Sequence, residues 1–155
     1  MKKLYSLDQL SDIIKNLKRT GKTVVFANGC FDLIHVGHIR YLKEAKELGD
    51  ILVVALNSDS SVHRLKGKDR PFMNENERAV VLSSFSFVDY LTIFTEDNVE
   101  KVLLSLRPDI HAKGSDYTVE TVPERETVLS YGGKIAITGG PKVRSTSEIM
   151  KENKP

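Results

Sequence analysis

Two histidines, His35 and His38, stand with two residues between them where a β-rich apolar run has just ended and a helix is about to begin. The run is Thr23 to Ala27, broken at Asn28-Gly29. After Val36-Gly37-His38, the residues Ile39, Leu42, Ala45 and Leu48 fall on one helical face. Strand, tight loop and helix in that order bring the unpaired first N–H groups of the helix to the carboxyl end of the strand, where open α/β sheets bind ligands. Phosphate suits such a position. Imidazole N–H groups there can bind phosphate oxygens and stabilise negative charge that grows in a phosphoryl-type transition state. The same spacing permits zinc ligation, but zinc needs at least one more ligand and the sequence sets no cysteine or carboxylate suitably beside the pair, so no metal ligand is assigned. Gly37, between the histidines, either lets the backbone approach a ligand or only makes the turn.

Other residues with chemical potential carry two readings each. Arg64, Lys66, Lys68 and Arg70, opposed only by Asp69 and pivoting on Gly67, form either a solvated basic loop or a loop that closes on phosphates. Arg78 is either a surface helix residue or a fork aimed at phosphates. Asp32 and Asp116 suit a metal, a ligand hydroxyl or a turn cap equally well. Ser145, Thr146 and Ser147 most simply cap a helix, and also offer hydroxyls and N–H groups to a phosphate at a second helix terminus. Cys30 has no base beside it in sequence and reads as a small buried residue, with a nucleophile as the alternative. Neither G-x-x-x-x-G-K-[ST] nor G-x-G-x-x-G occurs, which argues against P-loop hydrolysis and the usual dinucleotide site.

The elements that must position these residues fit one domain of 155 residues, a length that buries a core without disulfides or metal staples. With Cys30 as the only cysteine, an intrachain disulfide is excluded. A net charge of +2 does not by itself suggest nucleic acid. Met1-Lys2-Lys3 is followed by no apolar signal region and no run reaches the length of a membrane span, so a cytoplasmic protein is expected. Ser6, with Gln9 three residues on, opens a first helix over 6–20. Ile51 to Leu56, apolar without alternation, predicts a strand covered on both faces. Asn57 to Asn74 reads as a long connection. Helices are expected at Glu75 to Phe85 and Asn98 to Leu106, from Pro123 to near Gly132, and from Ser145; strands at Val88 to Phe94, Ile110 to Lys113 and Lys134 to Thr138. The βα alternation predicts an α/β fold: a Rossmann-like, five-stranded, doubly wound parallel sheet with helices on both faces.

The stretch Gly29-Cys30-Phe31-Asp32-Leu33-Ile34-His35-Val36-Gly37-His38 resembles the G-x-F-D-x-x-H-x-G-H signature of the cytidylyltransferase-like nucleotidyltransferases. Arg144-Ser145-Thr146-Ser147 resembles their second, Ser/Thr-rich signature, whose usual form has Ser-Thr-Thr. Between them, Asn57-Ser58-Asp59, Arg64 to Gly67, Arg70-Pro71, Glu77-Arg78 and Lys113 to Glu120 look most like the adenylyltransferases that make ADP-activated heptose; Ser115 departs from the glycine expected there. The resemblance runs from about Thr23 to Lys151 and does not include the sugar-kinase domain often fused in that branch.

The resemblance implies transfer of AMP from ATP to D-glycero-β-D-manno-heptose 1-phosphate, with pyrophosphate released and the ADP-sugar destined for the lipopolysaccharide core. His35 and His38 would stabilise the α-phosphoryl transition state, with Lys66 and Arg78 holding the phosphates. Gly29, Cys30, Phe31, Gly37, Ser145, Thr146 and Ser147 would line the nucleotide site, Asp116 and Tyr117 would lie near the base, and Mg²⁺ would be held mainly by substrate phosphates. The implied partners are ATP and a sugar 1-phosphate, with no nucleic acid or membrane; a homodimer and a separate sugar kinase are further candidates. Two competing readings are a cytidylyltransferase acting on glycerol phosphate or another alcohol phosphate, and a non-catalytic nucleotide sensor.

Overall fold

A computed structural model of the chain describes residues 2–140. Five strands, β1 (Val24–Gly29), β2 (Ile51–Asn57), β3 (Tyr90–Phe94), β4 (Ile110–Gly114) and β5 (Lys134–Thr138), pair in the order β3-β2-β1-β4-β5. Every pairing is parallel. Six helices intervene: α1 (Leu7–Arg19), α2 (Val36–Glu47), α3 (Asp59–Lys66), α4 (Glu75–Ser83), α5 (Glu100–Leu106) and α6 (Arg125–Ser130).

The strands are apolar without alternation because both faces are covered. Val24 and Phe26 of β1, with Val53 and Ala55 of β2, pack with Leu10 and Ile14 of α1, with Val102, Leu103 and Leu106 of α5, and with Val128 of α6. Val25 and Ala27, with Leu52, Val54 and Leu56, turn the other way onto Leu42 and Ala45 of α2 and onto Ala79 and Leu82 of α4. The doubly wound sheet expected from the sequence is the one observed. Its outer strand β3 is covered in turn, since Leu91 N donates to Lys3 O and Tyr5 N to Leu91 O, so the N-terminal segment pairs with what would be an open edge.

Local chemistry sets the helix starts. Ser6 accepts from Gln9 N while the Gln9 side chain accepts from Ser6 N, the reciprocal cap that the sequence predicts. Asn74 and Glu77 make the same arrangement at α4. At the α2–β2 turn, a Cβ on Gly49 would lie 2.8 Å from Val25 Cγ2 and 2.9 Å from Thr23 O, so only glycine fits.

Two expectations need correction. The connection after β2 is not an extended loop: Ser58 caps Ser61 N and opens α3, which holds Arg64 and Lys66. Val62 is that helix's one buried apolar side chain, too little to show a helical period in sequence. Pro123 lies two residues ahead of α6 rather than in its first turn. The helix expected from Ser145, with the candidate residues Ser145, Thr146 and Ser147, lies outside the described residues. Among the described residues no helix is long and apolar enough to cross a membrane.

The strand order fixes where a ligand can sit. From β1 the chain steps outward through β2 to β3, then returns by α5 to β4 on the opposite side of β1. Helices leaving β1 and β4 therefore diverge to opposite faces and open a crevice at the carboxyl ends of the strands.

Candidate active site

A cavity of about 670 Å³ fills that crevice, and all five strands reach it: β1 through Asn28 and Gly29, β2 through Asn57, β3 through Phe94, β4 through Lys113 and Gly114, β5 through Thr138. Of the sequence candidates, Gly29, Cys30, His35, Gly37, His38, Lys66, Asp116 and Tyr117 also line it.

The two histidines are built into the start of α2. His35 is the N-cap, and its Nδ1 accepts from Gly37 N at 3.1 Å; His38 sits three residues on, and its Nδ1 accepts from His35 N at 3.2 Å. This is a capping box made of two imidazoles, in which helix N–H groups otherwise left unpaired are satisfied by ring nitrogens. An Nδ1 that accepts carries no proton, so each neutral ring holds its proton on Nε2 and is a donor there. The rings lie 3.9 Å apart between centroids, and Phe31 packs 5.5 Å from His38. Burial, followed by the neighbouring His35 and Lys66, lowers the His38 pKa to about 4. The helix start thus presents neutral donors near Lys66 rather than two further cations.

The loop between β1 and α2 is strained: Phe31 and Leu33 both have positive φ, at 50° and 53°. Asp32 secures it. The residue is 2% exposed, and its carboxylate accepts from Phe72 N, Met73 N and Arg70 Nε, at 2.8, 3.1 and 3.1 Å. Of the alternatives left open for Asp32, the structure selects the one that fixes backbone. Phe31 does not line the cavity; it is buried behind His38 and supports that ring. Cys30 faces the cavity half-buried, and desolvation pushes its thiol pKa up despite the cations Lys66, Arg78 and Arg70, which removes the thiolate a nucleophile requires.

The basic cluster is divided by the fold. Lys66, at the last turn of α3, lines the cavity. Arg64 turns outward to Asp97, with Nε to Oδ1 at 2.7 Å, and also donates to Thr95 O. Arg70 pairs through Nε with Asp32 and does not line the cavity, and Lys68 is exposed outside the lining. Arg78 needs the largest correction. It is fully buried beneath the cavity, where Nε donates to Met73 O, Nη1 to Cys30 O and Asn57 O, and Nη2 to Asp59 Oδ1, at 2.7 to 2.9 Å. A guanidinium committed in this way does not reach phosphates; it ties the ends of β1 and β2 to the segments that open α3 and α4.

Several lining residues escaped the sequence reading. Asn28 Oδ1 accepts from Nε2 of the buried His111 at 2.9 Å, and burial lowers the His111 pKa to about 3, which keeps that ring a neutral donor. Lys113, at the end of β4, lies 4.8 Å from the Tyr117 ring centroid and 3.5 Å from Glu124. Tyr41 donates to Ala112 O, and Thr138 donates to Tyr41 O. The usable signal was positional: Asn28, Asn57 and Lys113 are the polar residues that end apolar strands, which is where a parallel sheet presents its ligands.

The model of the family described as cytidylyltransferase-like matches residues 26–149. The chain belongs to the cytidylyltransferase-like family. It is 48% identical over 149 residues to the bifunctional protein HldE of Syntrophotalea carbinolica, covering 96% of this chain and 30% of that protein. HldE of Geobacter sulfurreducens is 46% identical over 150 residues, covering 97% and 31%. The chain thus spans about a third or less of the length of these curated relatives. Among solved structures, a lipopolysaccharide core biosynthesis protein from Thermoplasma volcanium superposes with a TM-score of 0.63 at 37% identity, over 76% of this chain and 94% of that one. The pantoate-β-alanine ligase of Francisella tularensis superposes with a TM-score of 0.70 at 17% identity, over 95% of this chain and 69% of that one, a likeness of fold alone. Within the family fold, the signature residues Gly29 to His38 are the end of β1, the strained loop and the start of α2.

Two outcomes follow from this geometry. Arg78→Met should lower stability by about 3 kcal/mol, because three backbone carbonyls lose a charged donor and Asp59 loses its partner, read as a lower urea midpoint. A raised KM for nucleotide with unchanged stability would instead return Arg78 to the phosphates. The second concerns protonation. The His38 pKa is about 4 when folded and near 6.5 when unfolded, so the unfolded chain takes up the extra proton as pH falls from 6.5 to 4. That contribution is absent above pH 6.5 and destabilises progressively below it. The His38 ring proton resonances should show no titration between pH 8 and 5; a midpoint near 6.5 would contradict the buried, capping geometry.

Proposed function

We propose that the chain transfers AMP from ATP to a sugar 1-phosphate, D-glycero-β-D-manno-heptose 1-phosphate, and releases pyrophosphate. The observation that carries this is the pair of neutral imidazoles locked by their Nδ1 atoms to the start of α2, which leaves Nε2–H donors beside Lys66 in a cavity at the switch point. The family membership and the likeness to HldE support it.

One phosphate oxygen of the acceptor attacks the α-phosphorus. The new P–O bond forms as the bond from the α-phosphorus to the bridging oxygen breaks, and that electron pair departs with pyrophosphate. The nucleophile is already an anion, so no proton has to be removed and no covalent enzyme intermediate is needed. Catalysis then rests on alignment and on charge stabilisation. His35 and His38 donate to the α-phosphoryl oxygens as charge accumulates on them, Lys66 meets the phosphates, and Asp116 and Tyr117 lie near the base. Mg²⁺ is the ion this reaction implies. The cavity offers the hard oxygens of Asp97 and Asp116, but no group of three or more potential ligands is gathered among the described residues, so substrate phosphates would supply most of its coordination. Bound in this way it would offset phosphate charge. The acceptor arrives as a 1-phosphate, so a kinase acting on the anomeric hydroxyl precedes this step. The cytoplasm, where ATP is made, is the compartment proposed.

The test is direct. Incubation with ATP, CTP and a panel of sugar and alcohol phosphates should release pyrophosphate and yield ADP-heptose. Adenine and cytosine each offer an amino donor beside a ring acceptor, so the preference for ATP should come from purine size and stacking on Tyr117, about 10- to 100-fold in kcat/KM. A pool dominated by a CDP product would overturn the nucleotide assignment, and no pyrophosphate with any acceptor would favour the sensor. His38→Ala should fold and lose about 10²- to 10³-fold in kcat, since it deletes one preorganised donor; near-normal turnover would remove His38 from the mechanism.

A further inference from the structure

We propose that Lys113 and Glu124 form a recognition pair for a vicinal diol, a function separate from binding phosphate. Both line the cavity and both are almost fully buried, with side chains 9% and 11% exposed. Their charged atoms lie 3.5 Å apart, beyond the 2.7–2.9 Å of a charge-assisted hydrogen bond. Glu124 Oε2 has no hydrogen-bond partner among the described residues. Glu124 occupies the N-cap of α6, yet its side chain makes no cap bond, so the helix does not explain its placement.

A buried ion pair repays its desolvation only when the geometry is close and the remaining lone pairs and protons are satisfied. Here neither condition holds, and a ligand can supply both. Two adjacent hydroxyls donate to the carboxylate while their oxygens accept from the ammonium, which lies over Tyr117. A phosphate in that place would meet the like charge of Glu124, so a neutral polyol is the matching chemistry. The assignment rests on the reading of the cavity as a nucleotide and sugar-phosphate site. Both substrates carry the required group, in the ribose of the nucleotide and in the ring of the sugar.

The test measures binding by calorimetry, using α,β-methylene-ATP with its 2′-deoxy and 3′-deoxy counterparts, and heptose 1-phosphate with ring-deoxygenated analogues. Removal of one hydroxyl in one of the two series should weaken binding to the wild type about 10- to 100-fold, the worth of a hydrogen bond to a charged group. In Glu124→Gln that loss should shrink to about threefold or less, because the amide no longer accepts both hydroxyls. Glu124→Asp, which keeps the charge but draws it back, should fall between and serves if the glutamine variant does not fold. The series that responds identifies the source of the diol. Equal wild-type affinity for every deoxy ligand, or a Glu124→Gln effect equal on parent and deoxy ligands as a purely structural ion pair would give, overturns the proposal. Binding needs no turnover, so failure of the wild type to release pyrophosphate would remove the proposed reaction and leave this test standing.

Discussion

Arg78 is a cation placed where water does not reach it, and the loops around the cavity are arranged to satisfy it. Burying an ion costs several kcal/mol even after the protein relaxes. The cost is offset by four acceptors: Cys30 O just after β1, Asn57 O at the end of β2, Asp59 Oδ1 at the start of α3 and Met73 O just before α4. A planar fork with fixed donor directions can hold four such points in one geometry, and an ammonium cannot. Asp32 is the anionic counterpart, holding Arg70, Phe72 and Met73 against the loop after β1. Between them these two charges fix the segment before α4 to the segment before α2.

The same economy governs the histidines. A protonated ring would carry a hydrogen on Nδ1 and could not accept from the helix backbone, so charging either ring breaks a cap. Burial and the nearby Lys66 already oppose the charged form of His38. Position, tautomer and charge are therefore one constraint rather than three. Asn28 obeys it at second hand, since its carboxamide is oriented by a His111 that burial keeps neutral.

The sheet was legible in the sequence because its physics is local. Ile51 to Leu56 is apolar throughout, Ser6 and Gln9 form a cap across three residues, and Gly49 turns the chain where a side chain would collide with β1. The histidines were legible for the same reason, since a loop and a helix start place them together whatever the rest of the chain does. What stayed hidden was set by partners far off in sequence. Arg64 and Arg78 look alike as cations near a basic stretch, and only the fold sends one to Asp97 on the loop after β3 and the other beneath the floor of the cavity. α3 was missed because a short helix capped by Ser58, with Val62 buried, leaves almost no periodic trace. Glu124 gave no signal at all, because its meaning depends on Lys113 and on the absence of a cap bond.

The geometry also bears on which class of acceptor the site can serve. An alcohol must lose a proton as it attacks, and the natural base in a histidine-bearing site would be an imidazole. Neither ring here is placed to serve: the basic nitrogen of each already accepts from a helix N–H, and taking a proton there would undo the cap that positions the ring. The Cys30 thiol is held in its protonated form by burial. A phosphate monoester needs no base, because its nucleophilic oxygen is an anion before it binds, and the cost of bringing it close to a second phosphate falls to donors and cations. Donors and a cation of that kind line the cavity: two Nε2–H groups at a helix N-terminus and Lys66. The capping role of the histidines thus fits the phosphorylated acceptor proposed above, and both turn on the same pair of hydrogen bonds.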